Sequence, residues 1–200
     1  MLVPAADGKW LHWIEGPSLG QPRVGHAAAA VGDDILVAGG ATAGGSLLQS
    51  VEVLRTRHFP LQWTLLADSP YPFGFHKAAL VGSREGFYLS GGLNEEGEAM
   101  ASVLFRAPGD GQRWQPALGG EMRKARAGHG LVAHANCLYA IGGQPQAKRQ
   151  QSADQEACSR SIEVLDLTAA KPGWKLMEER LKSPAISATI VAFYENALQI

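Results

Sequence analysis

Three short apolar runs in this chain each end in a pair of glycines: Ile35-Leu36-Val37-Ala38 before Gly39-Gly40, Phe87-Tyr88-Leu89-Ser90 before Gly91-Gly92, and Leu138-Tyr139-Ala140-Ile141 before Gly142-Gly143. The doublets recur with a nearly constant period of about 50 residues. An interval this constant means that one structural unit is repeated, each copy burying its apolar faces against its neighbours.

Other residues keep step with the doublets. Trp13, Trp63 and Trp114 each precede the next doublet by a little over half a period, and Trp174 follows the third. Ser50, Ser102 and Ser161 each open an apolar run and precede Trp63, Trp114 and Trp174 by a nearly fixed interval. Ahead of each doublet lies a histidine followed by small or apolar residues, at His26, His76 and His129, with Ser187 in a fourth copy.

Each unit reads as four short strands separated by Gly, Asp, Asn or Pro. Strand a follows the histidine, b ends in the glycine doublet, c begins at the serine and d carries the tryptophan. No segment sustains helical periodicity. The phase divides the chain into units over 17–67, 68–118 and 119–179, with partial units over 1–16 and 180–200. The glycines permit positive φ and close backbone approach, while a tryptophan fills the space between neighbouring sheets.

The succession of Arg-x-Gly-His, apolar strand, Gly-Gly, Ser-Val-Glu-Val-Leu and tryptophan resembles the kelch repeat, and Ser161-Ile162-Glu163-Val164-Leu165-Asp166 is similar to the c strand of kelch-like adaptor proteins. The resemblance implies an all-β fold: a kelch-type β-propeller segment of about three four-stranded blades with a partial blade at each end. Propellers typically close with about four to eight blades, so an incomplete ring is expected, either a piece of a larger propeller or one completed by self-association through exposed blade edges.

Composition fits a domain rich in turns, with 24 Gly, 11 Pro, 46% apolar and 18% charged residues. A net charge of −1 gives no footprint for nucleic acid. No apolar run approaches the ~18 residues of a membrane span, and no secretory leader is evident at the start. Two cysteines, Cys137 and Cys158, fit a reducing compartment, so a cytoplasmic or nuclear location is expected.

Motifs of chemistry are largely negative. The stretch from Gly39 to Ser46 approximates a phosphate loop, but Gly45 stands where that loop needs lysine. The three in-phase histidines and the acidic residues Asp33, Asp34, Glu95, Glu96 and Glu98 read as structural slots and solvated turns. No catalytic residue, metal or cofactor is expected.

The resemblance implies that the b–c and d–a loops share one face and that a partner docks there. The candidate contact residues on it are Arg23, Tyr71, Phe73, Phe75, Arg123, Lys124, Arg126, Lys148 and Arg149, since aromatic residues and arginines dominate binding hot spots. The third b–c interval, from Gly143 to Ser161, is much longer than those from Gly40 to Ser50 and from Gly92 to Ser102. Its added segment, 144–160, reads equally as a binding loop or as disorder. The expected function is a non-catalytic protein-interaction module, such as the substrate-recognition part of a larger adaptor of the ubiquitin-ligase receptor type. The alternative is part of a kelch-propeller enzyme, similar to sialic-acid mutarotases or to copper oxidases related to galactose oxidase.

Overall fold

The computed structural model describes residues 2–4, 11–13, 15–145, 160–185, 191–192 and 198–199. Strands β1 (Leu2–Pro4) and β2 (Leu11–Trp13) form an antiparallel pair. Three four-stranded antiparallel sheets follow, each a simple meander. The first blade contains β3 (Ala27–Val31), β4 (Asp34–Ala38), β5 (Val51–Arg55) and β6 (Trp63–Leu65). The second contains β7 (Ala79–Gly82), β8 (Phe87–Ser90), β9 (Val103–Arg106) and β10 (Gln115–Pro116), and the third β11 (Gly130–His134), β12 (Cys137–Ile141), β13 (Ser161–Asp166) and β14 (Lys175–Arg180). A last pair joins β15 (Val191–Ala192) to β16 (Leu198–Gln199).

The b and c strands are apolar almost throughout because blades pack face to face, the second lying between the first and the third. All of β8 is buried, as are Val51 to Leu54 of β5, Glu52 included. Innermost strands pack on one another across blades, β3 on β7 and β7 on β11. The outermost strands are the sheet edges. β6 and β10 are only 3 and 2 residues long, and β14 exposes Lys175, Glu178, Glu179 and Arg180. Short or charged edges discourage pairing with other chains.

Two apolar clusters fill the wedges between blades. One joins Leu36, Val51 and Val53 of the first blade to Tyr71, Phe75, Phe87 and Leu89 of the second, with Trp114 packed against it. The other joins Tyr88 and Val103 to Leu131, Leu138, Leu165 and Trp174. Each fully buried Leu or Phe contributes roughly 1.5–3 kcal/mol. Trp114 and Trp174 thus brace their blade against the preceding one. Trp63 opens β6, while Trp114 and Trp174 immediately precede β10 and β14.

Each strand b ends at its doublet as the spacing predicts, and both glycines take positive φ: 63° and 97° at Gly39 and Gly40, 59° and 103° at Gly91 and Gly92, 68° and 88° at Gly142 and Gly143. The expected strand a led by His76 is displaced. β7 starts only at Ala79, and His76 itself bridges Leu93. The matching bridges in the other blades are made by Val24 with Ala41 and Ala127 with Gln144, so His76 is equivalent to Val24 and Ala127 rather than to His26 and His129. The residue in step with those two histidines is Ala78.

Candidate functional site

Main-chain hydrogen bonds place the d–a and b–c loops on one face and tie them together. Gly40 N–H donates to the Phe75 carbonyl at 2.8 Å, Gly92 N–H to that of Arg126 at 3.0 Å, and Gly143 N–H to that of Ala185 at 2.7 Å. The second glycine of each doublet therefore fastens its b–c loop to the d–a loop that leads into the next blade. Nearer the axis, Lys77 N–H donates to the Gly25 carbonyl at 2.9 Å and Gly128 N–H to the Lys77 carbonyl at 2.8 Å. These bonds make Gly25, Lys77 and Gly128 one ring position, and Arg23, Phe75 and Arg126 another.

Two of those d–a loop positions hold buried charges. The Arg126 guanidinium, 0% exposed, donates through Nη1 to the Gly142 carbonyl at 2.6 Å and through Nη2 to Ser161 Oγ at 3.1 Å and Glu163 Oε1 at 2.5 Å. Glu163 also accepts the Arg123 and Lys124 N–H groups at 2.6 and 3.1 Å. In the first blade Arg23 donates to the Gly39 carbonyl at 2.8 Å, Ser50 Oγ at 3.1 Å and Glu52 Oε1 at 2.5 Å, and Glu52 accepts Gly20 N–H at 2.6 Å and Gln21 N–H at 3.3 Å. Each carboxylate thus answers one guanidinium and two backbone donors, the supplementary hydrogen bonding that a buried ion pair requires.

The second blade replaces the ion pair and keeps the serine. Phe75 stands for the arginine and Leu104 for the glutamate. Pro72, which has no N–H, occupies the place of Gly20 and Arg123, so one backbone donor disappears with its acceptor. The serine keeps a partner, because Tyr71 Oη lies 2.7 Å from Ser102 Oγ. Burial pushes the Tyr71 phenol up to about 12, against the opposing pull of the Ser102 hydrogen bond.

Four expected contact residues are therefore corrected. Arg23, Arg126, Tyr71 and Phe75 are buried rather than exposed, the arginines bonded to the b and c strands of their own blades and the two aromatic residues packed in the wedge between the first and second blades. Phe73 is half-buried, its ring stacked on Tyr71 at 5.3 Å. Arg123 is exposed and Lys124 half-buried. Lys148 and Arg149, with most of residues 144–160, lie outside the described residues. Exposed on the same face are Val24, His26 and Lys77, none of them among the expected contact residues. Arg23, Phe75 and Arg126 precede Gly39, Gly91 and Gly142 by the same interval, and aligning the repeats on them puts Lys77 in step with Gly25 and Gly128.

The histidines do not converge. His26 is exposed, His76 half-buried and His129 buried. His129 Nε2 lies 2.8 Å from Ser90 Oγ of the adjacent blade, and Nδ1 has no partner among the described residues. Burial, reinforced by the Arg126 charge, pulls its pKa down to about 3. A folded-state pKa below the unfolded value of about 6.5 means that the unfolded chain binds the proton first. His129 therefore contributes stability that is present above pH ~6.5 and is lost as pH falls toward 3, at up to about 1.4 kcal/mol per pH unit. Urea midpoints measured across that window should flatten in His129→Gln; an unaltered slope would assign the acid sensitivity elsewhere. His76 is shifted the same way by burial and by Lys77.

No family model matches the chain. Kelch-like protein 34 of Homo sapiens is 32% identical over 140 residues, 68% of this chain and 21% of that protein. Kelch domain-containing protein 3 of Bos taurus is 28% identical over 152 residues, 69% of this chain and 38% of that protein. The chain thus spans well under half the length of these curated relatives. The solved structure of YjhT superposes with a TM-score of 0.71 at 18% identity, covering 89% of this chain and 58% of that one, a likeness of fold. Repeat spacing, four-stranded blades and sequence likeness agree, and the chain belongs to the kelch-repeat β-propeller family.

Proposed function

We propose that the chain is a non-catalytic protein-interaction module whose partner docks on the face of the d–a and b–c loops, as the recognition part of a larger cytoplasmic or nuclear adaptor. The observation that carries this reading is the fastening of each d–a loop to its neighbouring b–c loop by main-chain hydrogen bonds. Loops held in place by a rigid scaffold bind without a large ordering cost. Likeness to kelch-like protein 34 supports the same reading. A receptor of the ubiquitin-ligase type is the form of adaptor that the resemblance favours.

Since Arg23 and Arg126 are each neutralised by a buried glutamate, contact falls to residues that reach the surface. Phe73 and Arg123 supply an aromatic ring and a guanidinium there, the types enriched at hot spots. Phe73→Ala with Arg123→Ala is expected to weaken capture of a partner by about tenfold or more, read by quantitative pull-down against Phe59→Ala. Phe59 is 82% exposed in the c–d loop of the first blade, which leaves the far end of the sheet. Loss in the Phe59 variant with retention in the double variant would move the site to that other face.

A further inference from the structure

The ring position shared by Gly25, Lys77 and Gly128 has left-handed backbone in all three blades, with φ of 63°, 54° and 62°. Glycine adopts this conformation freely, whereas a residue with a Cβ is strained by about 1–2 kcal/mol. The middle blade nevertheless carries a lysine. No shortage of alternatives explains it, since the repeat uses glycine on either side.

The placement of Lys77 suits reception of an anion. Its N–H and carbonyl are both committed to the ring, binding Gly25 and Gly128, so the backbone is fixed while the side chain is exposed. Neither flanking ring residue has a side chain. A Cβ added to Gly25 would find its nearest neighbours in His76, at 4.0 Å. Residues adjoining the flanking glycines are Val24, His26, Ala127 and His129, none of them acidic. Lys77 joins none of the four ion pairs among the described residues, whereas the arginines of the neighbouring slots are consumed by Glu52 and Glu163. A strained residue retained at a surface ring, where the unstrained choice is used twice, is the kind of outlier that marks a binding position.

We propose that Lys77 is an anion-receiving position at the axial end of the loop face, taking a carboxylate or phosphate group. The proposal deepens the interaction reading and rests on it for the source of that group, an acidic side chain of the partner. The ammonium supplies the charge, the flanking glycines leave room for close approach, and the neighbouring His76 imidazole offers a second hydrogen-bonding group.

Backbone amide spectra of the full chain, titrated with acetate and with inorganic phosphate, test the site itself. Shifts are expected at Gly25, Lys77 and Gly128, to be lost in Lys77→Gly and Lys77→Ala and kept in Lys77→Arg. Lys77→Gly should unfold at an unchanged or higher urea midpoint, because the strain is relieved, so loss of binding in it cannot be ascribed to misfolding. A peptide array presenting each peptide in an Asp/Glu form and its Asn/Gln twin tests the source. Wild type should prefer the acidic member, and Lys77→Gly should lose about tenfold of that binding. Free anions bound through Lys77 with no acidic-peptide preference would keep the site and sink the protein partner as its source. Anion shifts that are absent, or that survive in both Lys77→Gly and Lys77→Ala, would falsify the proposal, while the interaction reading stands or falls by the Phe73 and Arg123 variant.

Discussion

Glu163→Ala is expected to be among the most damaging single substitutions in the chain, lowering stability by about 3–5 kcal/mol. A domain of this kind has about 5–15 kcal/mol in total, so the variant should unfold at a much lower urea midpoint or fail to accumulate. Removing the carboxylate leaves the Arg126 guanidinium fully buried without its counter-charge and takes one acceptor from the Arg123 and Lys124 N–H groups. The second blade shows how the loss can be repaired. There phenylalanine, leucine and proline occupy the corresponding places and tyrosine reaches the serine hydroxyl. Copying that set as Met122→Tyr, Arg123→Pro, Arg126→Phe and Glu163→Leu together is expected to recover most of the loss. Buried ion pairs are often replaceable by well-packed apolar groups but seldom tolerate removal of one partner. A combined variant as unstable as Glu163→Ala would mean that the two solutions depend on their own blades and do not transfer.

The second large effect is expected at Gly91. With φ at 59°, any Cβ there is strained, and it would also press on the Arg126 carbonyl oxygen and come to 2.8 Å from His129 Cε1. Left-handed strain of about 1–2 kcal/mol and overpacking of about 1–3 kcal/mol give Gly91→Ala a combined loss of about 2–5 kcal/mol. Gly32 provides the control, since its φ is 57° but nothing lies within 4 Å of an added Cβ. Gly32→Ala should lose the strain component alone. Equal midpoints for the two variants would show that the third blade shifts away from the intruding methyl group at little cost.

The fold was legible because its repeated demands are steric and fall on few residue types. Positive φ at both residues of each doublet leaves glycine as the natural choice, and a wedge between sheets asks for a tryptophan. The histidines were a weaker guide. His26 and His129 precede Gly39 and Gly142 by one common interval, but His76 stands farther from Gly91, a discrepancy that betrays its different place. The arginines misled for a chemical reason. Arginine suits an exposed contact as well as a buried fork, and only the glutamate that follows the c-strand serine tells them apart. Glu52 and Glu163 accompany Arg23 and Arg126, whereas Leu104 accompanies Phe75. That correlated change between repeats of one chain was a visible sign of contact. The exposure of Lys77 had no such signal, because it arises only when the ring of main-chain bonds is assembled.

That ring also bears on how such a protein can diverge. The bonds from Lys77 to Gly25 and from Gly128 to Lys77 use only atoms every residue shares, proline's missing donor excepted. The joints at the hub thereby depend on no side-chain chemistry, only on a backbone that tolerates left-handed φ, and the angular step from blade to blade can be inherited while the amino acids facing outward elsewhere are exchanged. A family built on this hub can explore new binding surfaces without renegotiating its geometry each time.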